Sequence, residues 1–428
     1  MTERRILFLT QTLPYPLDAG AKVRAYYMLR HLGAHHRVTL ASLVRPTDPA
    51  SAVSHLAQFC EAIHTVPIRR SFFRDATSLL VSMAARQPAL IVRDRSAAFR
   101  DRIRHLIGQS KYDAVHVDQI KMAQHVAGIA ATPRLIDLHN VYCEVIAGVA
   151  RLTASRWRKH LLLREARTMA RYERDVCRDF DEILAVTEND ARRLREMIEE
   201  PRPVTAIPIC VDPSEIPMIA HNEKSLGLLC VGAMFYPPNV DGVLWFLREI
   251  FPRIRHEVPE ARLCIVGPRP DRAILRAATA DHHVRVTGYV EDLTPHLETC
   301  AAAVVPLRAG SGMRVKILDA MARGIPVVST RLGAEGIHVT DGENVLLADS
   351  AGEFARTVVL LLCDVDARRR LAQNARRLIE TRYDWRQRYG EVDAVYERLF
   401  APGQKGGSGI LSDKNHGQDA RATRGASE

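Results

Sequence analysis

The sequence lacks any apolar stretch long enough to cross a bilayer. Its longest uninterrupted run, Leu226 to Phe235, is ten residues, against the roughly 20 that a spanning helix needs. Cysteine is sparse and scattered: the eight cysteines fall at 60, 143, 177, 210, 230, 264, 300 and 363, with no two closer than twenty positions. That excludes C-x-x-C zinc or redox spacing and suits a reducing cytosol. The N-terminus runs Met1-Thr-Glu-Arg-Arg and passes straight into Ile6-Leu-Phe-Leu9, with no long apolar region and no small-residue cleavage site behind it. No secretory leader is expected, and the expected location is cytoplasmic. Aromatics make up 6% of the chain and are not interleaved with basic residues in the manner of base-stacking surfaces, so nucleic acid is not an expected partner.

What is present is an ordinary globular composition of 428 residues, 47% hydrophobic and 26% charged, long enough for two or three domains. The net charge of +10 is uneven: residues 1 to 220 carry 32 basic against 24 acidic groups, and residues 221 to 428 carry 28 against 26. A basic front half can meet nucleic acid, anionic lipid or a phosphorylated substrate, and composition does not choose among them.

Short β-branched runs alternate with amphipathic stretches, the pattern of βα units around a mostly parallel sheet. In the front half the expected strands are Arg5 to Thr10, Val38 to Val44, Ile63 to Ile68, Ala114 to Asp118, Leu135 to His139, Ile183 to Thr187 and Val204 to Val211. Helices are expected over Lys22 to His31 and, with a charged solvated face, over Arg156 to Asp179. A second series has strands at Leu226 to Val231, Arg262 to Val266, Val284 to Thr287, Ala302 to Val305, Pro326 to Ser329 and Val345 to Leu347. Its helices are expected near Asn239 to Glu257, Val315 to Arg323, Ala351 to Leu362 and Ala367 to Arg382, and a last one runs from Trp385 to Phe400. The expectation is α/β with two Rossmann-like domains, 1–212 and 226–382, joined by a polar, proline-bearing linker at 213–225. Residues 383–401 would pack back toward the front domain, and 402–428, rich in glycine, serine and mixed charge, would be disordered.

The richest motif lies between Pro306 and Thr330, where a strand feeds a glycine turn and then a helix. Gly310 and Gly312 let the backbone come close to an anion, the first-turn N–H groups point at it, and Arg314 and Lys316 add positive charge. Asp319, one turn on, is placed to accept from ribose hydroxyls. His31 and His35 stand at i, i+4 spacing, but their sequence neighbours supply no third ligand, so they read as a surface pair. The triplets Asp179-Phe-Asp181 and Asp364-Val-Asp366 are expected by chance among 26 aspartates. No metal is expected.

Gly310-Ser-Gly followed by Ile317-Leu-Asp-Ala-Met-Ala-Arg-Gly-Ile-Pro-Val-Val resembles the donor-binding segment of glycosyltransferase family 4 (group 1), whose members have the GT-B fold with two Rossmann-like domains facing a cleft. The resemblance extends to the loop Gln11 to Arg24, His139-Asn140, Ala185 to Asn189, Val231-Gly, Val266-Gly-Pro, Val286 to Leu293 and Gly333 to Ile337. Tyr236-Pro-Pro-Asn-Val-Asp-Gly and Gly312-Met-Arg-Val-Lys are similar to sugar transferases of exopolysaccharide and PEP-CTERM systems. The resemblance implies transfer of a sugar from a nucleotide diphosphate to an acceptor hydroxyl, with retention of configuration and without a cofactor. The expected donor contacts are Gly20, Gly232, Gly267, Val290, Gly310, Ser311, Gly312, Met313 and Asp319. His139 would approach the sugar or acceptor, while Arg314 and Lys316 would stabilise the departing diphosphate.

The chain departs from the family where two glutamates are usually spaced E-x7-E, having Ser311 and Asp319 instead. The usual basic pair after the first strand of the second domain is missing from Gly232 to Asn239, and Arg314 and Lys316 are expected to replace its charge. The basic front domain fits a lipid-diphosphate-linked acceptor at the inner membrane surface. The alternatives are a nucleotide-sugar 2-epimerase, and a non-catalytic relative that binds nucleotide or glycan as an assembly partner.

Overall fold

In a computed structural model, residues 2–68, 72–129, 132–220 and 222–401 are described; the expected disordered tail lies outside them. The chain divides into two units. One comprises Met1–Cys143, Leu161–Pro208 and the segment from Tyr389 onward, and the other comprises Glu144–His160 and Ile209–Arg388.

The first unit is built on seven parallel strands: β1 Arg5–Thr10, β2 Arg37–Val44, β3 Ala62–Pro67, β4 Ala114–Asp118, β5 Arg134–Leu138, β6 Glu182–Ala185 and β7 Val204–Ala206. Their order is β3-β2-β1-β4-β5-β6-β7. Ile6, Leu7, Phe8 and Leu9 are all fully buried, because helices cover both faces of a parallel sheet and leave no polar side to the strand. The order reverses between β1 and β4, so the loops that follow these two strands open beside one crevice, where ligands of doubly wound sheets bind. Helix Gly20–His35 returns the chain from β1 to β2 and buries Val23, Met28, Leu29 and Leu32.

The second unit repeats the plan with six parallel strands: β8 Gly227–Val231, β9 Arg262–Val266, β10 Val284–Gly288, β11 Ala302–Val305, β12 Val327–Ser329 and β13 Leu346–Leu347. Their order is β10-β9-β8-β11-β12-β13, which places its switch point between β8 and β11. One face is packed by Trp245, Phe246, Phe251 and Phe354. Helix Ala351–Cys363 starts on a capping box between Ser350 and Glu353, which satisfies two first-turn donors.

Four expectations are corrected. The strand from Val204 stops at Ala206 rather than Val211, since Pro208 has no N–H to continue the ladder. The helix expected from Asn239 to Glu257 runs as Pro237–Trp245, a π turn Phe246–Ile250 and Phe251–Glu257. Pro252 cannot donate to the preceding turn, and Phe251 N–H reaches Phe246 O instead. The last helix is broken into Trp385–Arg388 and Gly390–Phe400, and the break at Tyr389 is where the chain passes from the second unit to the first. The stretch expected as a linker is tied down within the second unit: Arg376 donates to Pro213 O at 2.7 Å and Ile216 O at 2.8 Å, and Ile219 N donates to Arg323 O at 2.9 Å.

Candidate functional site

At the switch point of the second unit, two loops meet. The loop after β8 begins at Gly232, and the loop after β11 runs through Gly310, Ser311, Gly312 and Met313 to helix Val315–Ala322. Gly310 has φ +139° and Gly312 φ +76°, conformations open to glycine and costly for other residues. A Cβ at Gly310 would also lie 2.6 Å from the Arg314 guanidinium. Helix Val315–Ala322 has Arg314 at its N-cap, with no side-chain cap, so its first-turn N–H groups are not taken by a capping side chain.

The two expected cations divide their work. Lys316 reaches across the switch point: its Nζ donates to Val231 O at 3.0 Å and to Asn239 Oδ1 at 3.3 Å. A Cβ on Gly232 would come within 3.3 Å of that ammonium. Burial, with Arg314 nearby, pulls the Lys316 pKa below the usual lysine value. Such an ammonium gains from an anionic neighbour. Arg314 instead turns back onto its own loop, donating to Ser311 O at 2.8 Å and also to Gly312 O. The guanidinium therefore braces the glycine turn, a use of its several donors that loop carbonyls readily satisfy.

Other expected donor residues lie on the same unit. Gly267, after β9, has φ +154°, and a Cβ there would lie 1.7 Å from Gly232 O. The bare backbone of Gly267 thus sets the position of the loop after β8. Ser311 and Met313 are buried, and the Met313 thioether accepts from Ile209 N at 3.2 Å. Val290 is half-buried beyond β10. Asp319 accepts from Arg323 Nε at 3.1 Å and 3.2 Å. Burial raises the Asp319 pKa and Arg323 opposes the rise.

Two expected residues belong to the first unit. Gly20 is the first residue of helix Gly20–His35, which has no acidic residue in its first turn and no side-chain cap. His139 follows β5, but it is buried and neither ring nitrogen makes a hydrogen bond of good angle. Its Nε2 forms an ion pair with Asp118 Oδ1 at 2.9 Å. Burial would lower its pKa, and the Asp118 and Asp137 carboxylates outweigh that, so the imidazole titrates above its usual value. Asp137 in turn takes Arg24 Nε at 2.9 Å, and Arg24 donates to Ile207 O and Pro208 O, each at 2.9 Å. His139 thus sits in a buried charge network rather than at an open strand end.

Family models match most of the chain: "Glycosyltransferase Family 4" over residues 19–215 and "Glycosyl transferases group 1" over 225–364. The chain belongs to the family 4, group 1 glycosyltransferases. This glycosyltransferase is 22% identical to an uncharacterised 44.6 kDa protein in the cps region of Klebsiella pneumoniae, over 91% of its own length and 98% of that protein's. A phosphatidyl-myo-inositol mannosyltransferase of Mycobacterium leprae is 31% identical over 37% of this chain and 44% of the relative. Among solved structures, sucrose-phosphate synthase from Thermosynechococcus elongatus superposes with a TM-score of 0.69 at 16% identity, covering 93% of this chain and 99% of the other. Anabaena HepE, solved in complex with UDP-glucose, gives 0.67 at 14% identity, covering 92% and 100%. The fold is the α/β GT-B fold with its two Rossmann-like halves.

Four participants in the glycosyltransferase were not singled out from the sequence. Asn239 was visible inside the Tyr236-Pro-Pro-Asn motif, yet its role as partner of Lys316 depends on a contact 77 positions away. Asp118, Asp137 and Arg24 stand at strand ends or on a helix, and only the strand order brings them to His139.

Proposed function

We propose that this glycosyltransferase takes its sugar from a nucleotide diphosphate donor seated on the second unit, retains anomeric configuration and needs no metal. The observation that carries the reading is the position of Lys316 Nζ, 3.0 Å from Val231 O and next to Gly232. It supplies charge at the strand end where this chain lacks the family's usual basic pair. Departure of a nucleoside diphosphate from an oxocarbenium-like sugar leaves negative charge on the leaving oxygens. Fixed cations and oriented N–H dipoles lower that barrier without reorganising. Lys316 and the first turn of helix Val315–Ala322 are the assigned groups. Arg314 holds the turn in shape. Asp319 is assigned to the ribose hydroxyls, exchanging one of its contacts with Arg323. The UDP and UDP-glucose bound to HepE support this donor class.

The acceptor is proposed to be a lipid-linked glycan of exopolysaccharide synthesis, used by an enzyme peripheral to an anionic membrane. The relative in a cps region supports the pathway class. Among the described residues, no helix is long and apolar enough to cross a membrane. The exposed first turn of helix Arg156–Asp179, Arg156-Trp157-Arg158-Lys159, supports surface contact, with Trp157 73% exposed among three cations. Ser311, standing where a donor-contacting glutamate is usual, favours one rival, a non-catalytic relative that binds nucleotide. Turnover separates the two: slow hydrolysis of a nucleotide sugar in EDTA, abolished in Lys316→Ala, supports the enzyme, and binding without any turnover supports the rival.

A further inference from the structure

The sequence gives His31 and His35 no third partner, and the structure corrects this. Asp393, 362 residues away on helix Gly390–Phe400, places Oδ1 2.7 Å from His31 Nε2. His35, on the same helix as His31, donates from Nδ1 to His31 O at 3.0 Å. A carbonyl only accepts, so Nδ1 carries the proton and Nε2 keeps its lone pair. Ligand atoms of all three residues lie within 4.8 Å of one another. His31 and Asp393 are largely shielded while His35 faces solvent, which leaves an entry path.

We propose that His31, His35 and Asp393 form a binding site for a borderline divalent cation of the zinc class, one that clips the last helix to helix Gly20–His35. The donor set is two imidazoles and one carboxylate, suited to Zn2+ with water as fourth ligand. It is poorly suited to Mg2+ or Ca2+, which select oxygen. Zn–N bonds near 2.0 Å place ligand atoms about 3.3 Å apart, so the His31–Asp393 pair opens by a few tenths of an ångström and the His35 ring tilts toward it with its Nδ1–H bond kept. The His35 Nδ1–H bond to a backbone carbonyl fixes the tautomer, as outer partners of metal-bound histidines do. The site joins residues near the two ends of the first unit's sequence and shares no residue with the donor loops, so it would act on stability rather than on chemistry.

The test uses the full chain stripped with EDTA and dialysed free of it. Titration with Zn2+ by calorimetry is expected to show one site and to raise Tm, while Mg2+ does neither. Co2+ is expected to give the visible absorption of a four-coordinate nitrogen and oxygen site. His35→Ala and Asp393→Asn, each checked for folding by circular dichroism, are expected to weaken Zn2+ binding at least about tenfold. Absence of any Zn2+ response overturns the proposal. Unchanged affinity in Asp393→Asn also overturns it, reducing the feature to a surface histidine pair, and unchanged affinity in His35→Ala places the zinc elsewhere. Donor hydrolysis in EDTA reads the catalytic proposal independently of all these outcomes.

Discussion

Lys316 Nζ donates to Val231 O across 3.0 Å, linking the helix after β11 to the end of β8. The ammonium is thereby fixed beside Gly232 rather than left on a mobile arm. Lys316→Ala should lower turnover of a nucleotide sugar by about 10²- to 10³-fold, the range for removing one fixed group that stabilises developing negative charge. Because burial lowers its pKa, wild-type donor affinity should fall with rising pH earlier than an ordinary lysine would allow. A steady-state pH profile of kcat/KM checks both effects.

Gly267 should tolerate no side chain. Gly267→Ala forces a Cβ to 1.7 Å from Gly232 O at φ +154°, and relief requires the loop after β8 to move. The expected cost is about 2–4 kcal/mol of stability, with donor binding lost before the fold is. Denaturant unfolding together with nucleotide titration separates the two.

Acid should destabilise the first unit before carboxylates begin to protonate. Burial holds His116 down at about 3 and His125 down at about 4. Both stay neutral when folded and take up protons when unfolded. Their contribution is therefore complete above about pH 6.5 and is lost as pH falls toward those values, by up to about 1.4 kcal/mol per pH unit for each. His139 has the opposite sign: its raised pKa gives stability that is full below about pH 6.5 and fades as pH rises through the folded value. Unfolding free energies measured from pH 7 to pH 4.5 should fall, less steeply in His125→Gln. In Asp118→Asn the contribution from His139 should shrink, since Asp137 alone remains to favour the imidazolium.

The alternation of strands and helices was legible because parallel strands buried on both faces read as short apolar runs, as in Ile6 to Leu9. Gly310 and Gly312 were legible because a strand, a glycine turn and a helix in succession constrain one another. Arg314 was not. Its type and position suit a phosphate, and only the geometry shows the guanidinium spent on Ser311 O and Gly312 O. Asp393 was hidden for another reason: nothing local marks which carboxylate, hundreds of residues on, will lie against His31.

Trp157 should report membrane contact. Binding to vesicles containing anionic lipid should blue-shift its emission and protect it from aqueous quencher. Arg158→Glu with Lys159→Glu should weaken co-sedimentation by roughly 2 to 4 kcal/mol, taking about 1 kcal/mol for each cation near the surface and a like term for the added repulsion. Equal binding to neutral vesicles, or binding to RNA in preference to lipid, would assign the basic turn to something other than an anionic membrane.

The most direct test of the donor site is calorimetric titration of the full chain with UDP-, GDP- and ADP-sugars in EDTA, in wild type and in Lys316→Ala and Arg314→Ala. One donor class should bind wild type without metal. Lys316→Ala should lose that binding with its fold intact, and Arg314→Ala should weaken it while lowering Tm. Failure of every donor to bind wild type, or undiminished binding in Lys316→Ala, would contradict the placement of the diphosphate between Gly232 and the Gly310 turn.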